Sequence, residues 1–433
     1  MKKTKFCKKL LWQFGVIFLS VLFLNIFTAS AVDRFEHHGY MRAGVGINSE
    51  SGDQEVFVAP GAEGKKYRLG NENDNYIETD FVYNWQNPKE DEAFFKGYLS
   101  LAFGTSQNSN YSDDEDKWFN IPEAYVQAGN IEGSNLKFWA GNRFYRRHDI
   151  HMNDFYFFSM SGYGAGVEDV ELGAMKMSLA YLVGSEEDYK ATNVGRIAKN
   201  NIDLRFYDID MPFGKGMFAF VPSWIKEDTY DYKDEKDVDQ TIKLEDSNGY
   251  GLTFIHTNGD FFGGFNKLSI QYGAGTGVTF DPNVYVPKST DEKFDDMTKF
   301  RVTNQFVVQP SDKFSMMTAL VYQIADNGKS SNSGSEWYSA GIRPVFHLTD
   351  YYSIALEGGI DYTSVDGGDS GALYKFTVAP QLQAPSGFWG RPVLRMFATM
   401  ATWSDDFKGD IAGDTYKDDT SGFTIGAQME VWW

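Results

Sequence analysis

The chain ends in Phe423-Thr424-Ile425-Gly426-Ala427-Gln428-Met429-Glu430-Val431-Trp432-Trp433, and this segment carries the clearest fold signal in the sequence. Its odd-numbered residues are all apolar, whereas its even-numbered residues, apart from Trp432, are polar or glycine. Side chains alternate across a β-strand, so this segment predicts a strand with one apolar face and one polar face. In a soluble sandwich the apolar face would meet a core. In a membrane barrel it would meet lipid, while the polar face lines a watery lumen.

The same alternation recurs along the chain and favours the barrel. It is found around residues 40–47, 76–85, 265–272 and 391–400. The last segment is imperfect, because Val393 and Phe397 fall on its polar side. A barrel edge would expose unpaired backbone groups to lipid, so the first and last strands are expected to pair and close a single domain.

Polar, largely acidic stretches separate these segments. They are Ser112 to Lys117, Asp228 to Asp239, Asp326 to Ser335 and Asp405 to Ser421. We expect solvated loops here, since outer-membrane barrels carry long polar loops on one side and short turns on the other. The alternative is that divalent cations bridge these acids to lipopolysaccharide.

The first residues are typical of a secretory signal peptide. Five lysines precede an apolar run from Leu10 to about Phe27, and Ala29-Ser30-Ala31 offers a signal-peptidase site. A membrane anchor is the competing interpretation, because the apolar run is long. The Ala29-Ser30-Ala31 site argues against an anchor. We predict a signal peptide over residues 1–31 and a barrel domain over residues 32–433. No second apolar run is long enough for a membrane-spanning helix.

Charge and cysteine content exclude several function classes. Cleavage after Ala31 leaves 35 basic and 60 acidic residues, a net charge of −25. We expect no nucleic-acid partner for such a chain, because phosphate neutralisation needs a basic surface. The only cysteine, Cys7, lies in the signal peptide, so the mature chain has no disulfide, thiolate zinc site or cysteine nucleophile.

Several strands place a large aromatic residue on the face that should be wet. These residues are Tyr40, Tyr76, Phe265, Trp389 and Trp432. An aromatic ring exposed to water loses the burial that normally stabilises it, so a ligand with apolar patches is expected there. Sugars fit, because their ring faces carry C–H groups and their rims carry hydroxyls that charged side chains bind.

The alternative for each aromatic taken singly is the belt of Tyr and Trp at the membrane surface. A belt faces lipid, which suits Trp433 but not residues on the polar side of a strand.

Blocks spread along the mature chain resemble the maltoporin family of sugar porins. They include Gly39 to Arg42, Lys66 to Glu72, Trp139 to Tyr145, Arg147 to Tyr156, Gly264 to Lys267, Gly341 to Pro344, Trp389 to Pro392 and Gly426 to Trp433. The resemblance implies an all-β fold: an 18-stranded antiparallel transmembrane β-barrel with an inward-folded constriction loop. It also implies a homotrimer in the outer membrane of a Gram-negative bacterium.

The resemblance also assigns residues to a sugar path. The five aromatics above would form a continuous slide, whose sixth member comes from a neighbouring subunit's loop in the family. That loop is shorter here, and Trp118 is the candidate, with Tyr111 behind it. A polar track would face the slide, formed by Arg42, Arg68, Glu78, Arg147, Asp149 and Asp154. Tyr156 would narrow the channel.

Two departures from the family pattern concern the track and a loop. Pro122 stands where the family has a polar-track arginine, and proline cannot donate a hydrogen bond. Val56 and Asn73 align with two loop cysteines of some members. Pro122 is expected to loosen the constriction or shift sugar preference. The loss of the two cysteines at Val56 and Asn73 is expected to make the loop less rigid.

The sequence thus predicts facilitated diffusion of maltose and maltodextrins, with no enzymatic activity and no cofactor. The expected partners are maltooligosaccharides and outer-membrane lipid and lipopolysaccharide. Other saccharides, such as sucrose or aryl glucosides, and a general porin are the rivals. His148, Asp149, His151 and Asp154 are metal-ligand types, but close spacing does not make a coordination geometry, so we expect no metal site. A hydrolase embedded in a barrel is the alternative from another function class, but the sequence shows no Ser/His/Asp signature to support it.

Overall fold

The structure is a computed structural model that describes residues 34–85, 92–107, 117–185, 198–233, 239–285, 287 and 291–433. The predicted signal peptide, Tyr111 and the stretch from Ser112 to Asp116 lie outside the described residues. Among the described residues, no helix is long and apolar enough to cross a membrane.

Eighteen strands form one antiparallel sheet. In its first half these are β1 (Phe35–Asn48), β2 (Asp74–Asn84), β3 (Phe94–Ser106), β4 (Lys117–Gly129), β5 (Lys137–Arg143), β8 (Gly162–Glu171), β9 (Lys176–Ser185), β10 (Ala198–Met211) and β11 (Gly214–Ile225). The second half comprises β14 (Ser247–Phe261), β15 (Gly264–Gly275), β16 (Thr298–Ser311), β17 (Phe314–Asp326), β18 (Gly334–His347), β19 (Tyr352–Val365), β20 (Ser370–Gln383), β21 (Val393–Trp403) and β22 (Ser421–Trp432).

The sheet closes on itself, as the sequence predicts. Strand β22 pairs with β1 in a regular antiparallel register that runs from Tyr40 opposite Trp432 to Asn48 opposite Thr424. Each remaining strand pairs with the next one along the barrel. Closure removes the sheet edges, so within the described ranges no strand of the barrel is left as an open edge with unpaired backbone groups facing lipid. The predicted 18-stranded barrel is confirmed.

The alternation on β22 separates lipid from lumen. Phe423 and Ile425 are exposed on the outside, whereas Thr424, Gln428 and Glu430 are buried on the inside. Other strands expose large apolar side chains on the same outer surface, including Leu99, Phe218, Phe220, Ile270, Leu320, Ile342, Leu394, Met396 and Met400. An outer surface of this kind is the one that a bilayer solvates.

The imperfect segment of β21 has a structural explanation. Val393 and Phe397 point inward but are buried rather than wet. The backbone of Gly70 lies against the Phe397 ring, since a Cβ on Gly70 would come within 2.8 Å of it. The inner face of this strand is therefore covered by protein, and apolar residues are stabilised there by burial.

That cover is the first inward loop, residues 57–73, which connects β1 to β2. Its backbone is held by the wall of the barrel: Lys375 Nζ donates to Leu69 O at 2.7 Å, and Thr377 Oγ1 donates to the same oxygen at 3.0 Å. Thr399 Oγ1 donates to Gly70 O at 3.0 Å. Buried backbone carbonyls need donors, and the polar inner faces of the strands supply them.

A second segment, residues 144–161, forms the constriction loop that the family resemblance predicts. It contains the short strands β6 (His148–Ile150) and β7 (Phe155–Phe158) and a 3₁₀ turn at His151–Asn153. Gln271 and Arg301 both donate to Phe157 O, at 3.0 and 3.1 Å. Because the wall donates to its carbonyls, the loop lies folded against the inside of the barrel.

The apolar core lies between the inward loops and the wall. Phe155 meets Trp337 of β18 with ring centroids 5.3 Å apart, and Trp139 stacks on Tyr145 at 5.0 Å. The two loops also join each other, since Arg68 N donates to Met152 O at 3.1 Å. The lumen is thus partly filled by a packed core, which leaves a restricted path.

The long connections contain more regular structure than the sequence indicates. Part of the stretch predicted as loop from Asp228 to Asp239 belongs to a hairpin of β12 (Asp228–Lys233) and β13 (Asp239–Leu244). Further 3₁₀ turns lie at Ile131–Gly133, Phe294–Asp296, Asp405–Phe407 and Gly413–Tyr416. The sequence does not predict this hairpin because each strand has six residues, of which only two are apolar, too few for a clear apolar period.

A pair of glycines seats the first inward loop, and this leads to a testable prediction. Gly341 and Gly359 are partners on β18 and β19, and the Tyr67 ring lies over both. A Cβ on Gly359 would lie 2.1 Å from that ring. Gly359→Ala should therefore lower the free energy of unfolding by about 1–3 kcal/mol, measured by guanidinium unfolding in detergent.

The control is Gly358→Ala on the same strand, where an added Cβ meets nothing within 4 Å. Because both changes alter the unfolded chain equally, their difference isolates the contact with Tyr67. Equal unfolding midpoints for the two variants would contradict this role of Tyr67.

Candidate functional site

The inner faces of β1, β2 and β22 meet the two inward loops around a cavity of about 400 Å³. It is lined by Tyr40, Arg42, Arg68, Tyr76, Glu78, Phe144, Arg147, His151, Asp154, Tyr156 and Trp432. Nine of these residues were predicted as site residues from the sequence. Phe144 had no predicted role in the site, and His151 was weighed only as a metal ligand.

An aromatic row crosses this cavity from strand to strand. Trp118 and Tyr76 have ring centroids 5.7 Å apart, and Tyr76 and Tyr40 are 5.9 Å apart. Tyr40 lies directly opposite Trp432 in the pairing of β1 with β22. Trp432 continues to Trp389, with centroids 6.4 Å apart. Five of the six predicted slide residues are therefore contiguous.

Phe265 lies apart from this row. It begins β15, opposite Val307 of β16, and packs half-buried against the core inside the barrel. The Lys267 ammonium lies 5.8 Å from its ring centroid. Among the described residues, no ring contact joins Phe265 to the other five, so the structure places it on the inner wall without connecting it to the row.

Arg68 is the centre of the polar side. Its Nε donates to Glu72 Oε1 at 2.8 Å, and its Nη2 donates to the Tyr40 hydroxyl at 2.9 Å. Its Nη1 lies 3.4 Å from His151 Nδ1. Burial lowers the pKa of His151 well below its ordinary value, so the ring is neutral and Nδ1 accepts from the guanidinium.

Arg42 is held by acids on the same side of the cavity. Its Nη2 donates to Asp74 Oδ2 at 2.6 Å, its Nε donates to Asp74 Oδ1 at 3.2 Å, and its Nη1 lies 3.1 Å from Glu72 Oε1. A bidentate pair of this kind fixes the plane of the guanidinium. Arg42 is therefore presented to the cavity in one orientation, beside the Tyr76 ring at 5.5 Å.

Glu430 organises the other end of the cavity, a role not predicted from the sequence. Its carboxylate accepts from Arg391 Nε at 2.9 Å, Arg395 Nη2 at 2.8 Å and the Tyr40 hydroxyl at 3.0 Å. The Arg391 guanidinium lies 4.3 Å from the Trp432 ring centroid. A buried carboxylate among arginines is tolerated because its charge is neutralised and its oxygens are bonded.

Arg147 extends into the cavity from the constriction loop. Its guanidinium lies 3.6 Å from the ring centroid of Phe144 and 4.8 Å from that of Tyr156. Stacking on aromatic faces suits a planar guanidinium and leaves its N–H groups free to donate at the rim. Phe144 lies within the Trp139 to Tyr145 block that resembles the family, but nothing in the sequence alone links it to Arg147.

Three predicted acids complete the site, at different depths. Glu78 accepts from the Tyr76 hydroxyl at 2.5 Å. Asp154 follows the 3₁₀ turn in a left-handed conformation, with φ 54°, and lines the cavity. Asp149 is not among the lining residues, and burial raises its pKa while Lys267 and Arg147 oppose that rise.

Residues 35–433 match the family model described as LamB porin. The chain belongs to the LamB porin family. This match covers the whole barrel and both inward loops, and it confirms the family resemblance found in the sequence. The protein is therefore an outer-membrane channel of a Gram-negative bacterium, and its barrel serves transport.

Several solved bacterial protein structures are similar to this LamB porin over nearly its whole length. OccK9 (OpdG) of Pseudomonas aeruginosa is 10% identical with a TM-score of 0.48, covering 93% of this chain and 99% of that one. OccD3 (OpdP) of the same organism is 10% identical with a TM-score of 0.45, covering 92% and 91%. OmpT of Vibrio cholerae is 9% identical with a TM-score of 0.40, covering 92% and 97%.

The four metal-ligand types of the constriction loop are dispersed. His148 stacks on Phe158 with ring planes 5° apart, and His151 meets Trp389 edge-on at 5.2 Å. Within the described ranges, no group of three or more His, Cys, Asp or Glu side chains is placed to hold a metal ion. Both imidazoles are engaged by aromatic rings in this LamB porin.

The two departures from the family pattern have visible consequences. Pro122 lies on β4, so no guanidinium stands at that point of the wall. Asn73 Nδ2 donates to Gln54 O at 3.3 Å, two residues from Val56. In this LamB porin an amide hydrogen bond thus joins the two stretches in which some members carry cysteines.

Proposed function

We propose that this LamB porin passes maltose and maltodextrins by facilitated diffusion, along the aromatic row and between the charged groups that face it. The observation that carries the proposal is the row of aromatic residues along the inner wall of the barrel, formed by Trp118, Tyr76, Tyr40, Trp432 and Trp389. A general pore has no use for such a row, because exposed rings lose the burial that stabilises them.

A glucose unit has two kinds of surface, and the cavity offers a partner for each. Its C–H faces stack on aromatic rings, and its hydroxyls bond to charged side chains. Ring centroids lie 5.7 Å apart for Trp118 and Tyr76, 5.9 Å apart for Tyr76 and Tyr40, and 6.4 Å apart for Trp432 and Trp389. Spacings of this size let one glucose unit leave a ring as it reaches the next. Weak, repeated contacts of this kind allow a substrate to leave as readily as it enters.

The polar track is pre-organised by its acid partners. Arg42 and Arg68 are each bonded to Glu72, yet a guanidinium has five N–H donors and retains some for a ligand. Arg147 offers its rim while its faces are stacked. The full track that we propose is Arg42, Arg68, Glu78, Arg147, Asp149 and Asp154, with Phe265 continuing the slide beyond the row.

We further propose the assembly and processing that the family resemblance implies. Residues 1–31 act as a signal peptide that is removed on export. The mature barrel, residues 32–433, forms a homotrimer that contacts outer-membrane lipid and lipopolysaccharide. The transport requires no cofactor, covalent step or energy source.

The test of the proposed function is single-channel current in a planar bilayer, titrated with maltohexaose and separately with sucrose. We expect reversible, concentration-dependent block by maltohexaose at a lower concentration than by sucrose. Stronger block by sucrose would assign a different saccharide. Steady current with either sugar would make the protein a general porin.

Removal of a slide indole should weaken sugar binding. We expect Trp389→Ala and Trp432→Ala each to raise the half-blocking maltohexaose concentration about two- to tenfold, with ion conductance largely unchanged. Trp433→Ala is the matched control, because Trp433 follows Trp432 directly after the end of β22, is exposed, and contacts His37 rather than the aromatic row. Unchanged block in both slide variants would remove the slide from the transport path.

Tyr156 should limit the width of the channel. It extends from the constriction loop into the cavity and stacks on Arg147. Tyr156→Ala is expected to raise single-channel conductance in the absence of sugar, since it removes a ring from the narrowest region. Tyr338→Ala, on the lipid side of β18, is the control. A conductance equal to that of the wild type would argue against this role.

A further inference from the structure

Three polar residues lie side by side on the first strands of the barrel. Asp80 of β2 pairs with Ser100 of β3, and Ser100 pairs with Glu123 of β4. We call these three residues the carboxylate row. Directly opposite residues of neighbouring strands point to the same face, with Cα atoms about 4.5–5.5 Å apart. The two carboxylates therefore flank the serine hydroxyl and can reach it from both sides.

The carboxylate row faces the lumen and borders the sugar cavity. Glu78, two residues before Asp80 and thus on the same face of β2, lines that cavity. Glu123 Oε1 accepts from the backbone N–H of Phe144, at the start of the constriction loop, at 2.8 Å. Because Glu78 and Phe144 both line the cavity, the row lies directly beside it.

Two oxygens of the row are buried without a hydrogen-bond partner. Ser100 is 1% exposed, and its Oγ has no partner among the described residues. The same holds for Asp80 Oδ1, which lies on the neighbouring strand. A buried polar oxygen without a partner is unfavourable, so a ligand that both oxygens can bind is expected between the strands.

The negative charge of the row is not balanced by a base. Elsewhere on the inner wall a buried carboxylate is neutralised, as Glu357 is by Arg343 and Lys375. Within the described ranges, by contrast, no arginine or lysine forms an ion pair with Asp80 or Glu123. A water molecule could bond to the free oxygens but would leave both charges in place. Two half-buried charges of one sign call for a counter-ion.

A change at Pro122 accounts for the missing base. Pro122 stands next to Glu123, where the family resemblance gives a polar-track arginine. It lies in a β-bulge, because Ser100 pairs with Glu123 but Ala102 pairs with Asn120. Proline is tolerated in a bulge, where the ladder of hydrogen bonds is locally broken. An uncharged residue thus occupies the position beside this carboxylate, and a bound cation can supply the charge instead.

We propose that the carboxylate row binds Ca²⁺ on the lumen wall. Two carboxylates and a hydroxyl are hard oxygen ligands, and Ca²⁺ accepts about six to eight of them in a flexible geometry. Mg²⁺ suits a row spread over three strands less well, because it requires a near-ideal octahedron. The remaining coordination positions face the lumen, where water or the hydroxyls of a passing sugar complete them. The site does not depend on which sugar passes, so it goes beyond the proposed function.

Bound Ca²⁺ changes the charge of the permeation path. Without it, the row presents two negative charges beside the cavity, which attract cations into the channel. One Ca²⁺ ion neutralises both. Ca²⁺ should therefore lower the conductance of the channel for a potassium salt and reduce its preference for cations over anions.

The experiment is a Ca²⁺ titration of single-channel current in a planar bilayer with KCl and no sugar. We expect a saturable, reversible fall in conductance for the wild type. Asp80→Asn removes a charged ligand and should raise the half-effective Ca²⁺ concentration about tenfold or more, and Ser100→Ala should raise it about two- to tenfold. Asp405→Asn is the matched control, because that carboxylate is 83% exposed in an outer loop. Its half-effective concentration should equal that of the wild type.

A wild-type conductance that does not respond to Ca²⁺ would overturn the inference. So would equal half-effective concentrations in the wild type, Asp80→Asn and Ser100→Ala, because the response would then come from other acidic residues. Both substitutions nearly preserve side-chain volume, and each is measured separately, so a folding failure in one leaves the other as the test. Maltohexaose block measured without Ca²⁺ tests the proposed function independently.

Discussion

The pairing of β22 with β1 is the interaction on which the rest of the structure depends. A backbone N–H or C=O left unpaired in lipid costs several kcal/mol, and an open sheet would leave two rows of them. The register from Tyr40 opposite Trp432 to Asn48 opposite Thr424 removes both rows. The same register places Tyr40, Glu430 and Trp432 on one patch of inner wall, so closure of the barrel also assembles the cavity.

Inside the barrel, the second requirement is that buried polar groups find hydrogen-bond or ion-pair partners. Two loops fold into the lumen, and their buried carbonyls accept from side chains of the wall, such as Lys375 on Leu69 and Arg301 on Phe157. Buried charges are paired, as Glu430 is with Arg391 and Arg395. These bonds fix the loops, and the fixed loops set the width of the path and orient the groups that line it.

Much of the site was predictable because it depends on local alternation and on family motifs. Nine of the eleven cavity-lining residues were named from the sequence. Phe144 was missed because its relation to Arg147 arises from the path of the constriction loop. Glu430 was recognised as inward-facing, but its three partners come from different parts of the chain. The hairpin β12–β13 was missed because its six-residue strands hold only two apolar residues each, too few for a clear apolar period.

The closed barrel, its lipid and lumen faces, and the inward aromatics on regular strands could be predicted from the order of residues, because a period of two follows from covalent geometry. Three-dimensional packing, by contrast, settled which inner faces are covered by loops, as at Phe397. It also decided that Trp118 faces inward: one extra residue in β4 reverses the alternation, and pairing with Gly104 sets the new register. A bulge is a property of two paired strands, so neither strand's sequence reveals it alone.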